Sequence, residues 1–162
     1  MRILIISLPR TGSTSLMYKL AKDNNLSPLF EPFDGTNRVI YNGEDNVVLK
    51  TIICHHPNNL ELIRSFDKTI LLSRININEL IESHSYQTYF SKVKGYNSNN
   101  PYTYKRPPQN IIDICSSDIN KWISDIQKLS DLTMIPITYY EDIFDVNSND
   151  RLRIKNTLVN II

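Results

Sequence analysis

Residues 2–16 read RILIISLPRTGSTSL, and this stretch decides the fold. Arg2 to Leu8 is a short β-branched run that stops at Pro9, the pattern of a strand buried in a parallel sheet. Pro9 to Ser13 is a turn with Gly12 at its centre. Thr14 to Asp23 then sets Leu16, Met17, Leu20 and Ala21 at helical spacing, and Asn24-Asn25 stops the helix. The chain thus opens with a strand, a glycine-containing loop and a helix.

Working outward, Leu26 to Asp34 (LSPLFEPFD) is short, extended and interrupted by two prolines. Asn46 to Cys54 reads as a second buried strand, Asn59 to Phe66 as a short helix and Lys68 to Ser73 as a third buried strand. Asn76 to Phe90 is helical, with Leu80, Ile81 and His84 on one face. Ile111 to Asp131 is an amphipathic helix that contains the only tryptophan, Trp122. Thr133 to Thr138 is a last short strand, and Pro136 marks it as an edge. Arg151 to Ile162 reads as a terminal helix. This alternation predicts an α/β architecture around a parallel sheet. With no internal repeat and no composition break, residues 1–162 read as one domain. Lys92 to Gln109 has no period, and an aperiodic stretch that long reads as a lid or acceptor loop.

The chain has 162 residues, 41% of them hydrophobic and 22% charged, enough for a core without disulfides or metals. A net charge of +1 excludes a general polyanion binder, so nucleic acid is not an expected partner and anion recognition must be local. Cys54 and Cys115 stand far apart and form neither a disulfide framework nor a zinc cluster; no metal is expected. No apolar run is long enough to cross a membrane, so the expected setting is cytoplasmic and reducing.

The loop after the first strand has the makings of an anion site. The first N–H groups of the following helix lack partners, and its dipole is positive there. Gly12 would let the backbone approach a ligand, Ser13, Thr14 and Ser15 add hydroxyls, and Arg10 adds a forked cation suited to phosphate or sulfate. The GxxxxGK[ST] signature of P-loop nucleoside triphosphatases fails, because the loop has one glycine and no lysine after it. The plain alternative is a tight turn with hydroxyls that cap a helix.

The segment LPRTGSTSL closely resembles the 5′-phosphosulfate loop of sulfotransferases that use 3′-phosphoadenosine 5′-phosphosulfate (PAPS). Three later segments are similar to that family in order: FEPFD, KTILLSRININELIESHS and ITYYEDIFD. The resemblance implies a P-loop-like three-layer α/β fold, with helices on both sides of a central parallel sheet. It also implies PAPS as co-substrate, no metal, and a small-molecule or carbohydrate acceptor carrying a hydroxyl or, less favoured, an amine.

By that resemblance Arg10, Thr11, Gly12, Ser13, Thr14 and Ser15 would hold the 5′-phosphate and sulfonate. Arg74 would grip the 3′-phosphate with Ser83, nine positions on where the family's usual spacing is eight; Ser85 is a second candidate. Lys50, at the end of VVLKT, matches a family lysine that aids the leaving group, or snorkels at a strand end. The base is Glu31 of FEPFD, where carbohydrate-type members place a glutamate, or His55 or His56, displaced from the histidine of the cytosolic members. Tyr102, Tyr104, Lys105 and Arg106 are candidate lid contacts. Two rivals stay open: a P-loop-type nucleotide or metabolite kinase, and a non-catalytic nucleotide- or glycan-binding protein of the same fold. Oligomeric state is not legible.

Overall fold

The structure is a computed structural model and describes residues 1–34, 41–91, 104–145 and 154–155. Most of the expected lid (92–103, with Tyr102) and most of the expected terminal helix lie outside the described residues.

Arg2–Ser7 forms β1, followed by helix α1 over Ser13–Asn24. Ser27–Phe30 is β2, Val47–Ile52 is β3, and Asn59–Arg64 is the short helix α2. Lys68–Ser73 is β4 and Ile77–Phe90 is α3. The long helix α4 spans Gln109–Thr133, and Ile137–Tyr139 is β5, followed by the single turn α5 at Tyr140–Ile143.

The five strands form one sheet in the order β2-β3-β1-β4-β5, and every pairing is parallel. The expected α/β architecture with a parallel sheet is therefore present. Strand β1 is central because it is apolar on both faces, with Ile3 to Ile6 fully buried. Its side chains alternate between two cores. Leu4 and Ile6 face α2, α3 and α4 with Leu62, Leu80 and Ile119, whereas Ile3 and Ile5 face α1 and α5 with Leu16, Met17 and Ile143. Helix α3 is capped by Asn76, whose side chain accepts the Glu79 N–H at 3.1 Å.

Three local readings are corrected. Leu26 to Asp34 is more than an interrupted extended segment: Ser27–Phe30 pairs with β3 as a fifth strand. Pro28 lies within it, and an edge strand tolerates the missing N–H. The last strand begins at Ile137, because α4 continues through Thr133. There the Thr133 hydroxyl donates to the Leu129 carbonyl at 2.7 Å, and Ser130 donates to the Ile135 carbonyl at 2.6 Å, closing the helix end. Finally, the last strand, expected to stop at Thr138, runs to Tyr139 and passes directly into α5.

Candidate functional site

The carboxyl ends of all five strands open on one cleft of about 640 Å³. Ligand sites in open α/β sheets form at this edge, where neighbouring strands send their connections in opposite directions. Here β1 leads out to β2 while β4 leads the other way to β5, so the switch lies between β1 and β4. Arg10 follows the first of these strands and Arg74 the second, and both line the cleft.

The loop between β1 and α1 is built around two left-handed residues, Arg10 at φ 61° and Gly12 at φ 70°. Gly12 caps α1 without a side-chain hydrogen bond, so Ser13, Thr14 and Ser15 begin the helix at the cleft wall with that end uncapped. The packing gives Gly12 a need of its own. A Cβ on Gly12 would stand 2.8 Å from Phe144 Cε2 and 3.1 Å from Tyr140 Cε2, so the hydrogen accommodates the Tyr140–Phe144 ring stack. Arg10 Nε donates to Ser83 Oγ at 3.1 Å, which ties the loop to α3. Thr11 is fully buried, donates to the Leu8 carbonyl at 2.8 Å, and supports the turn without lining the cleft.

Lys50 and Glu31 meet at the ends of β3 and β2. Lys50 is 3% exposed and its ammonium donates to Glu31 Oε1, with the Phe30 ring centroid 4.6 Å away. Burial, reinforced by the Arg10 charge, pushes the Lys50 pKa down to about 7. Glu31 stands at φ 44°, a left-handed position just past its strand, and its N–H donates to the Lys50 carbonyl at 2.8 Å. Its other oxygen, Oε2, lies 4.0 Å from His55 Nδ1. The candidates Lys50, Glu31 and His55 thus form one chain along the cleft. Burial pushes the His55 pKa down from its ordinary value, against the pull of the Asp34 carboxylate. His56 is elsewhere: its ring packs on Phe33 at 4.6 Å, its Nδ1 accepts the Asn58 N–H at 3.1 Å, and it does not line the cleft.

Arg74 leaves β4 into a frame of carboxylates. Its NH2 lies 2.8 Å from Glu79 Oε2, its Nε lies 3.7 Å from Glu141 Oε1, and its guanidinium sits 4.6 Å from the Tyr140 ring centroid. Nε itself is buried without a hydrogen-bond partner among the described residues. Glu141 also accepts the N–H groups of Ile75 and Asn76, at 2.9 and 3.2 Å, and so fixes the turn that carries Arg74. Ser83 is bonded to Arg10 rather than Arg74, and Ser85 donates into its own helix, to the Ile81 carbonyl at 2.7 Å. Tyr104 packs on Phe90 at 5.1 Å, and Lys105 and Arg106 are exposed; none of the three lines the cleft.

Sequence reasoning missed part of the cleft wall. Tyr140, His84, Gln87, Cys54 and Trp122 all line it. His84 was legible as a residue of a buried helix face, but its place beside the loop depends on how α3 packs on α4. Tyr140 directly follows the last strand, a position that in a parallel sheet is itself a signal.

Among the described residues no three His, Cys, Asp or Glu side chains are grouped to hold a metal, and no helix is long and apolar enough to cross a membrane. What the arrangement offers chemically is two fixed cations, Arg10 and Arg74, and the titratable Lys50 at neighbouring strand ends, an uncapped helix start, and a carboxylate and an imidazole lining the same cleft. Comparison with known proteins finds no matching family model, no matching curated protein and no matching solved structure.

Proposed function

We propose that this protein is a PAPS-dependent sulfotransferase that moves a sulfuryl group to a hydroxyl acceptor and releases adenosine 3′,5′-bisphosphate. The observation that carries the reading is the convergence of Arg10, Lys50 and Arg74 on one cleft, around the uncapped start of α1. A doubly phosphorylated nucleotide presents anions at two separated points. The loop with Lys50 and the turn with Arg74 supply cations at two separated points. The buried Nε of Arg74, 3.7 Å from Glu141 Oε1 and without a hydrogen-bond partner among the described residues, leaves a donor for a further anionic contact.

In this reading the α1 N–H groups and Arg10 hold the 5′-phosphate end, and Arg74 holds the 3′-phosphate. PAPS supplies an activated sulfonate. The acceptor oxygen gains a bond to sulfur as the bond from sulfur to the 5′-phosphate oxygen breaks, and the hydroxyl proton passes to Glu31. Arg10 and Lys50 stabilise the charge left on the departing phosphate. Arg10 does so as a fixed cation, and Lys50 does so once the nearby anion holds its proton on.

The test is a thermal-shift panel with adenosine 3′,5′-bisphosphate, AMP, and ATP with magnesium. Selective stabilisation by the bisphosphate supports the reading, because a ligand of the native state raises its apparent stability. Selective stabilisation by magnesium–ATP replaces it with a kinase, and no response to any of the three replaces it with a protein that does not bind nucleotide.

A further inference from the structure

Arg74 does not face the cleft as a bare cation. Its Nη2 lies 2.8 Å from Glu79 Oε2, and Glu79 lines the cleft beside it, with 28% of its side chain exposed. Glu141, the other carboxylate on Arg74, does not line the cleft. Both its oxygens accept backbone N–H groups, and its backbone carbonyl accepts from the exposed Lys155 ammonium at 2.6 Å. At the end of β4 the cleft wall therefore presents a guanidinium and a carboxylate side by side. Asn76 holds the carboxylate in place: its side chain accepts the Glu79 N–H at 3.1 Å and donates to Glu79 Oε2 at 3.4 Å.

Such a pair selects what it binds. An anion alone gains from Arg74 and is repelled by Glu79; a cation alone gains from Glu79 and is repelled by Arg74. A guanidinium only donates and a carboxylate only accepts, so an anion set next to an uncharged donor satisfies both. A phosphate ester with a hydroxyl on the neighbouring carbon is such a group. Arg74 Nε is a donor without a hydrogen-bond partner among the described residues. A carboxylate has acceptor sites for about four hydrogen bonds, so Glu79 can hold Arg74 and Asn76 and still accept from a ligand.

Helix α3 sets where that hydroxyl lies. Glu79 and Ser83 are four residues apart on it and so share one face, a turn apart. Ser83 accepts from Arg10 Nε at 3.1 Å, while Glu79 meets Arg74. One face of α3 thus joins the two arginines, and a ligand with a phosphate at each must cross it. In a nucleoside 3′,5′-bisphosphate the part that crosses is the ribose, and its 2′-hydroxyl is the donor next to the 3′-phosphate.

We infer that Glu79 is a specificity-determining residue: it accepts the 2′-hydroxyl of a ribose whose 3′-phosphate is held by Arg74, and so selects a 3′,5′-bisphosphate over its 2′,5′ isomer. This rests on the assignment of Arg74 to the 3′-phosphate proposed above. With the 5′-phosphate fixed on the α1 loop, moving the second phosphate from O3′ to O2′ sets it against the Glu79 carboxylate. Removing the 2′-hydroxyl leaves the carboxylate in the cleft wall without that donor.

The test is calorimetric titration of the full chain with adenosine 3′,5′-bisphosphate, its 2′-deoxy counterpart and adenosine 2′,5′-bisphosphate. Wild type binds the first about 10- to 100-fold more tightly than the 2′-deoxy ligand, the range for a hydrogen bond to a charged group, and binds the 2′,5′ isomer more weakly still. Glu79→Ala brings the 2′-deoxy and parent ligands to within about threefold of each other. Glu79→Gln, which keeps the size and an acceptor oxygen but not the charge, narrows the preference between the two isomers about tenfold. Each ratio is taken within one protein, so partial unfolding of a variant does not alter it. Were Glu79 only to orient Arg74, both variants would weaken all three ligands together and leave the ratios unchanged. That result overturns the inference, as does equal binding of the three ligands by wild type, which leaves the bisphosphate reading standing. Absence of wild-type binding to all three removes the bisphosphate reading itself and the inference with it.

Discussion

The Arg74 guanidinium lies 4.6 Å from the centroid of the Tyr140 ring, each residue standing just past the end of one of two adjacent strands. Tyr140 thus forms a floor for Arg74 while Glu79 and Glu141 hold its edges. A cation held this firmly is oriented before any ligand arrives. Arg74→Ala is expected to weaken adenosine 3′,5′-bisphosphate by about 1.5–3 kcal/mol, the range for a charge-assisted contact, and to leave AMP nearly unchanged. Calorimetric titration with both nucleotides checks this. An unaltered preference between them in the variant removes Arg74 from the 3′-phosphate.

Gly12→Ala combines two penalties. The left-handed backbone at φ 70° costs an L-residue about 1–2 kcal/mol, and displacing the Phe144 ring costs about 1–3 kcal/mol more. Urea unfolding of Gly12→Ala is expected to show the sum. In a Phe144→Leu background the Phe144 part is relieved, and the backbone part and the 3.1 Å contact with Tyr140 remain. Equal penalties in the two backgrounds would mean that the ring contact is not what requires glycine.

Lys50 makes stability depend on pH. Its folded pKa, about 7, lies below the ordinary lysine value of 10.5, so between these values the unfolded chain binds more protons. The Lys50 contribution therefore makes stability rise with pH from about 7 towards 10.5, and below pH 7 it adds no slope. Urea melts of wild type and Lys50→Met between pH 6.5 and 9.5 isolate it. The wild type should gain stability relative to the variant as pH rises. A relative loss would show that Glu31 holds the ammonium charged more strongly than burial discharges it. Bisphosphate affinity should run the opposite way: an anion favours the protonated lysine, so affinity falls as pH rises above 7.

Glu31→Gln should keep bisphosphate affinity within about twofold and lose roughly 10²–10⁴ in turnover, the range for general-base catalysis. His56→Asn should turn over normally, since His56 packs on Phe33 outside the cleft. His55→Asn distinguishes the two remaining bases in the same steady-state assay with a hydroxyl acceptor. Normal turnover of Glu31→Gln beside a dead His55→Asn transfers the base to the histidine.

The parts legible in the sequence were those encoded locally. RILIIS and KTILLS are short enough and apolar enough to be only buried strands, and both appear as such. That Arg10, Lys50 and Arg74 share an edge also follows from local pattern, because each ends or follows a strand and parallel strands share their carboxyl edge. Ser27–Phe30 was obscured by Pro28, whose cost depends on whether the strand is an edge, a tertiary property. The Lys50–Glu31 contact needed the β2–β3 register, which pairs Phe30 with Lys50 and so carries the next residue to the ammonium. Trp122 and Gln87 were unreadable as cleft residues for a related reason. A tryptophan on an amphipathic helix faces a core by default, and only the crossing of α3 and α4 decides that these two also face the cleft.

The left-handed backbones of Arg10 and Glu31 imply a trade between durability and chemistry. At φ 61° and 44°, both positions favour glycine, and a long charged side chain there costs about 1–2 kcal/mol. A chain selected only to stay folded would gain from glycine at either place, less the Arg10–Ser83 and Lys50–Glu31 contacts it would lose. From these two strained sites a guanidinium and a carboxylate enter the same cleft. Engineering this protein for heat resistance would favour glycine at these two positions as it would at the left-handed Met134, but here it would remove a guanidinium and a carboxylate from the cleft.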